Sequence, residues 1–264
     1  LPENYLIPYY SKEAAEKEMV NSDSKREQKK YQGATVIDAI SGDYTNVATF
    51  DFASLYPSMI IAYNICYTTI VKDDNPILDE DCHILIWEDH RYCEHDPQKR
   101  KCSPKERSKK LLCQKNRFRF KRVFINEQGQ LDGIGILPRL LINILGERKK
   151  VKKEMALAEA KLKMNDGLAS SEDLAEYKTK LKLDAIKKDF FPVKERLGLQ
   201  VLINVLDAKQ KALKISANSA YGAMGAVTGY MPFIPGAASV TAMGRQSIHF
   251  AIDFILENYP FANL

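Results

Sequence analysis

Asp51 closes the short apolar run Ala48-Thr49-Phe50-Asp51, and a tight turn, Phe52-Ala53-Ser54-Leu55-Tyr56-Pro57-Ser58, leads from it into an apolar, helix-like segment. A carboxylate at the end of such a run, beside backbone N–H groups that open a helix, can hold a divalent cation and the phosphates riding on it. A second stretch, Lys209 to Gly222, carries Lys211, Lys214, Asn218 and Tyr221 at intervals of three, four and three residues, which is one face of a helix. Lys214 can bind phosphate as a point charge, Asn218 can hydrogen-bond, and Tyr221 can pack against a base or sugar. The spacing alone suits an ordinary amphipathic helix equally, since Leu206, Leu213 and Ala217 occupy the other side.

Three weaker signals accompany these two. Arg148 and Lys152 lie four residues apart and, taken alone, read as a solvated helix face. Cys82, His90, Cys93, His95 and Cys102 supply donors for one tetrahedral zinc site. His90 and Cys93 stand at ligand spacing, but there is no pair of Cys-x-x-Cys knuckles, so core or surface Cys and His are the alternative. Finally, Lys99 to Arg122 holds twelve Lys and Arg, among them Lys99, Arg100, Lys101, Arg117 and Arg119, against the single acid Glu106. Such asymmetry suits a polyanion contact, and a solvated loop is the other reading.

The elements that must position these residues follow from periodicity and breakers. Asn46 to Phe50 reads as a strand leading to Asp51, Thr35 to Ile37 as another, and Met59 to Tyr63 as helical. Residues 71 to 135 show no clear period, which marks an insertion. Leu137, Leu140, Leu141, Ile144 and Leu145 predict a helix starting near Pro138 and breaking at Asn165-Asp166-Gly167. A second helical stretch runs from Ser170 to Phe191 and a third from about Leu199 to Tyr221, stopping at Gly222. A last one runs from Ser239 to Tyr259.

With 264 residues, 45% hydrophobic and 28% charged, the chain is ordinary globular material of one or two domains. It has no apolar run long enough to span a membrane and no signal-peptide pattern. An odd count of five Cys fits reduced thiols in an intracellular setting. Because it opens on Leu1, the chain reads as a piece of a longer protein.

Two strings carry a resemblance. Asp51-Phe-Ala-Ser-Leu-Tyr-Pro-Ser58 and Lys214-Ile-Ser-Ala-Asn-Ser-Ala-Tyr-Gly222 resemble the A and B motifs of family B DNA polymerases, the group of the replicative polymerases alpha and delta. The likeness covers most of the chain. Thr35 to Val71 is closest to polymerase delta and its viral relatives, and the Cys/His insert to polymerases of large double-stranded DNA viruses. Gly244-Arg245-Gln246 resembles the palm helix that follows motif B.

The resemblance implies an α+β fold: a partial polymerase palm of strands and helices, with an antiparallel helical fingers subdomain. Its divisions would be a charged linker at 1–30, palm at 31–72, the Cys/His-rich and basic insert at 73–135, fingers at 136–222, and a palm helix at 223–264. It implies template-directed addition of dNMP from dNTP to a primer 3′ end, using two Mg²⁺ ions in the complete enzyme. Asp51 would bind metal, and Phe52 would add its carbonyl. The Ser54 and Leu55 amides would face phosphate, and Tyr56 would stack under the sugar and exclude a 2′-hydroxyl. Arg148, Lys152 and Lys214 would contact the triphosphate, while Tyr31 and Gly33, of Tyr31-Gln-Gly-Ala34, would touch the template.

The implied partners are primer–template DNA, dNTP, the remaining polymerase domains (exonuclease, rest of the palm, thumb) and a processivity factor. A nuclear or cytoplasmic replication site is the implied location. The family's third motif, Tyr-x-Asp-Thr-Asp, does not occur in the 264 residues. On this resemblance the second metal-binding acid lies outside the chain. A zinc-containing nucleic-acid-binding or structural fragment without catalysis is the rival reading.

Overall fold

Helix α1, Leu55–Ala62, starts where the backbone turns through Ser54 in the left-handed conformation, with φ 53° and ψ 53°. A non-glycine residue rarely adopts this conformation, and it needs support from its surroundings. Here Ser58 supplies that support. Its amide bonds the Ser54 carbonyl at 2.9 Å and its hydroxyl donates to the Ala53 carbonyl at 3.1 Å. In this computed structural model the described residues are 31, 33–35, 41–89, 114–129, 131–165, 193–226, 231–259 and 261.

Beyond α1 these residues form strand β1 (Ile70–Val71), a 3₁₀ turn at Asp79–Asp81, and strands β2 (Cys82–Asp89), β3 (Gln114–Lys121), β4 (Phe124–Ile125) and β5 (Leu131–Asp132). Three long helices follow: α2 (Ile136–Asn165), α3 (Val193–Gly225) and α4 (Ile234–Asn258). The class is α+β. The sheet runs β1-β3-β2, all antiparallel, and β4 pairs with β5.

Two compact units divide the chain, Leu1–Arg139 with Ser219–Leu264, and Leu140–Asn218. In the first, α4 packs on α1 and β2. One face of the β2–β3 hairpin, with Leu85, Trp87 and Phe120, is buried, and so is most of α4 from Gly236 to Gly244. The second unit holds most of α2 and α3, with Leu141, Val151, Ala158, Ala160, Leu206 and Ala217 buried.

Asn64 ties the end of α1 to its surroundings. It is fully buried, and its φ of 51° turns the chain out of the helix. Its side-chain amide donates to the Lys121 and Gly133 carbonyls at 2.8 and 3.0 Å and accepts from the Gly135 amide at 2.8 Å. All the side chain's polar atoms are therefore used, which a buried amide requires.

The structure departs from the sequence reading in four places. Asn46 to Phe50 is not a strand, and Val47 and Phe50 are 72% and 79% exposed. No described strand lies alongside to complete its hydrogen bonds, and a lone extended segment is not a strand. Residues 71 to 135 are not wholly irregular, because β2 and β3 pair over eight residues and bury one face in the first unit. β3 alternates through Arg117-Phe118-Arg119-Phe120-Lys121, whereas β2 runs apolar from Ile84 to Trp87. Helix α3 runs past both Gly198 and Gly222. An interior glycine costs a helix only ~1 kcal/mol, and packing outweighs that here. Helix α4 begins five residues earlier than Ser239, with Pro235 in its first turn, where its missing N–H has no consequence. The expected strand at Thr35–Ile37 and helix at Ser170–Phe191 lie wholly or partly outside the described residues.

Candidate active site

The turn before α1 presents its oxygens and amides outward. Asp51, Phe52 and Ala53 are all exposed. Ser54 makes no side-chain cap, so the Leu55 and Tyr56 amides, which have no carbonyl one turn back, point out of the helix start. Pro57 has no N–H to leave unpaired and is buried, which pins the helix to its base. Asp51 and the Phe52 carbonyl are oxygen donors of the kind a hard divalent ion takes. Among the described residues, no group of three or more His, Cys, Asp or Glu is gathered to hold a metal.

Tyr56 and Tyr221, one on α1 and the other near the end of α3, lie with ring centroids 4.4 Å apart and planes tilted by 42°. The Tyr221 hydroxyl is in turn 3.1 Å from the Tyr31 hydroxyl. Burial pushes the Tyr221 hydroxyl well above the ordinary tyrosine range, the bond to Tyr31 adds to the rise, and Arg245 opposes it. Tyr221 thus keeps its proton at physiological pH, and of the two hydroxyls one donates to the other. Gly225 makes room for Tyr31, since an added Cβ would sit 2.3 Å from its hydroxyl oxygen. Gly33 is exposed, and its carbonyl accepts from Arg245 Nη1 at 2.6 Å.

Within the second unit, Arg148 is half-buried and its Nη2 reaches Gln210 Oε1 at 3.5 Å, joining α2 to α3. Lys152, Lys214 and Asn218 are exposed. Lys211 pairs with Asp207 one turn back at 2.6 Å.

Arg119, expected at a DNA surface, is instead buried. It is 6% exposed, and its guanidinium donates to the Ile77 carbonyl at 2.9 Å, to the carbonyls of Lys72 and Asn75, and to Asp79 at 3.2 Å. It fastens the loop 72–79 over β3. Arg117 is more open but bonds Asp73 and Asp79 at 3.2 and 2.6 Å. The Arg117 hydrogen bond holds the Asp79 carboxyl below its usual range. Lys99, Arg100 and Lys101 lie outside the described residues.

So do the proposed zinc ligands His90, Cys93, His95 and Cys102. Cys82 is buried opposite Lys121, while Asp89 pairs with Gln114 at the other end of the hairpin. Seven residues of strand, about 23 Å, separate Cys82 from Asp89 at the other end of the ladder. Burial pushes the Cys82 thiol pKa up. Sequence reasoning missed Arg245, Gly225 and Asn64 as organisers. Gly244-Arg245-Gln246 and the Thr35 to Val71 stretch that holds Asn64 gave a signal, as strings without an assigned role for either residue.

Comparison with known proteins agrees with these motifs. The family model described as DNA polymerase family B matches residues 4–174 and 188–263. DNA polymerase 120R of Invertebrate iridescent virus 3 is 35% identical, over 84% of this chain and 19% of its own length. The DNA polymerase delta catalytic subunit of Schizosaccharomyces pombe is 30% identical, over 88% of this chain and 15% of its own. The chain thus spans about a fifth or less of the length of these relatives. A structure of the family B DNA polymerase from the archaeon Pyrobaculum calidifontis aligns at TM-score 0.46 and 21% identity, over 89% of this chain and 21% of that one. With the Asp51–Ser58 and Lys214–Gly222 strings present and the family model matching nearly its whole length, the chain belongs to DNA polymerase family B.

Proposed function

We propose that the chain is the palm and fingers portion of a template-directed DNA polymerase that adds dNMP from dNTP to a primer 3′ end. The observation that carries the reading is the meeting of Tyr31, Tyr56 and Tyr221, from three distant strings, beside the turn that bears Asp51. On this reading 31–72 is palm, 136–222 fingers and 223–264 a palm helix. The two compact units support a division of this kind. The described β2 and β3 fall in the same unit as α1, so they go with the palm. The partners are primer–template DNA, dNTP and the other polymerase domains, at an intracellular replication site.

Magnesium, when bound, supplies Lewis acidity at the transferring phosphoryl group. Asp51 would hold it through its carboxylate and Phe52 through its carbonyl, with a further acid drawn from outside the described residues. Tyr56 packs against Tyr221 and fills the space where a 2′-hydroxyl would stand, so it selects deoxyribose by bulk. Arg148, Lys152 and Lys214 bind triphosphate oxygens by charge-assisted contacts.

Primer extension by the complete polypeptide carrying this chain tests the reading. Asp51→Asn removes charge where transition-state stabilisation concentrates, so the rate falls by about 10³-fold or more while primer–template affinity holds. Extension within tenfold of wild type would remove Asp51 from the metal site.

A further inference from the structure

Helix α4 makes two contacts, from adjacent residues, to separate parts of the candidate site. At Gly244 an added Cβ would lie 3.5 Å from Tyr56 Cε1 and 3.6 Å from Leu55 Cδ2, which is ordinary contact distance, so the side chains of the first turn of α1 lie close beside α4. One residue on, Arg245 bonds the Gly33 carbonyl at 2.6 Å. Two residues before Gly33, the Tyr31 hydroxyl meets Tyr221 at 3.1 Å. Tyr31 and Gly33 are therefore each held, the tyrosine by its hydroxyl to α3 and the glycine by its carbonyl to α4.

A single hydrogen bond contributes about 1 kcal/mol net, too little to hold an exposed loop in one place. Two pins on one short segment fix both the position and the direction of the Tyr31 side chain. Arg suits the second pin because its planar fork donates in a fixed geometry and its charge strengthens a bond to a neutral carbonyl. The cation also lies near enough to Tyr221 to oppose the rise in that hydroxyl's pKa. Tyr221 packs on Tyr56 at 4.4 Å, so a Tyr31 that moves lets the pair facing the nucleotide move as well.

We propose that Arg245 is a positioning residue: by holding the Gly33 carbonyl it fixes Tyr31 against Tyr221 and so sets how strictly the Tyr56–Tyr221 pair tests the incoming nucleotide. This rests on the nucleotidyl-transfer reading above. It assigns to Arg245 an effect on discrimination rather than on the rate of the matched reaction.

The test is single-nucleotide incorporation by the complete polypeptide, opposite matched and mismatched template bases. The proteins are wild type, Arg245→Ala, Arg245→Lys, Tyr31→Phe and the double variant Arg245→Ala with Tyr31→Phe. Arg245→Ala should raise KM for the matched dNTP with kcat within about threefold, and lower the matched-to-mismatched ratio of kcat/KM by about tenfold. Tyr31→Phe should do the same. The double variant should be no worse than either single one, because both changes break one linkage. Arg245→Lys keeps a donor and should recover part of the ratio.

An unchanged ratio in Arg245→Ala, or fully additive effects with Tyr31→Phe, would overturn the proposal. If Arg245→Ala does not fold, Arg245→Met, which keeps the stem and loses the donor, replaces it under the same criteria. Failure of the wild-type polypeptide to incorporate any nucleotide would instead overturn the polymerase reading itself.

Discussion

The hydroxyls of Tyr31 and Tyr221 lie 3.1 Å apart although 190 residues separate them in the chain. This bond joins the Tyr31-Gln32-Gly33-Ala34 string to the end of the Asn218-Ser219-Ala220-Tyr221-Gly222 string. Tyr56, packed on Tyr221, brings in the third. Three short motifs therefore share one aromatic cluster, and substitutions in it have separable consequences.

Tyr56→Val removes the ring and leaves the turn before α1 in place. On the polymerase reading the space under the sugar opens, and kcat/KM for ribonucleotides rises by about a hundredfold relative to dNTP, ~2.7 kcal/mol. Measured incorporation of rNTP and dNTP by the variant checks this. A ratio equal to wild type would mean that another residue bars the 2′-hydroxyl.

Arg148→Ala, Lys152→Ala and Lys214→Ala should each raise the apparent KM for dNTP about tenfold, ~1.4 kcal/mol, because each removes one charge-assisted bond to phosphate. Arg148→Ala should also lower thermal stability, because its guanidinium bonds Gln210 on α3. The exposed Lys152 and Lys214 should not. Unchanged dNTP kinetics in all three would show that these helices do not meet the triphosphate.

The two ends of the basic run should behave differently. Replacing Lys99, Arg100 and Lys101 with Ala should flatten the salt dependence of DNA binding by about three log units per log unit of salt, one for each phosphate no longer neutralised. Arg119→Leu should leave that slope alone and cost about 2 kcal/mol of stability, since it removes the charge-assisted bonds to the Ile77 and Lys72 carbonyls. A changed slope without a fall in stability in Arg119→Leu would return it to the DNA surface.

Asp79 gives a pH signature. Its folded pKa is held low by the Arg117 hydrogen bond, so its contribution is present above the unfolded value of about 4 and is lost as pH falls through the lowered folded value. The group is exposed, so the effect is small. Asp79→Asn should lower Tm by on the order of 2 °C at pH 7, and the gap should close below about pH 4. Thermal unfolding of both proteins across that range decides it. A gap that persists in acid would mean the loss is not ionic.

Much was legible in the one-dimensional chain, for a physical reason. A tight turn opening a helix needs particular residues at fixed offsets, so the Asp51 to Ser58 string carries its own geometry. Long helices repeat their apolar positions every three to four residues, so α2, α3 and α4 were visible, with ends displaced where packing overrode Gly198, Gly222 and Pro235. What only the tertiary structure decided was which partners these elements found. Asn46 to Phe50 has strand-like residues but no described neighbour to pair with, and a strand exists only in company. Arg119 sits in a basic run yet is buried, because the carbonyls of the loop 72–79 fold over β3 and consume its donors. Arg245 is one arginine on an amphipathic helix until folding places the Gly33 carbonyl 2.6 Å from it. Offsets of a few residues are written in the sequence; contacts across two hundred residues are set by how the core closes.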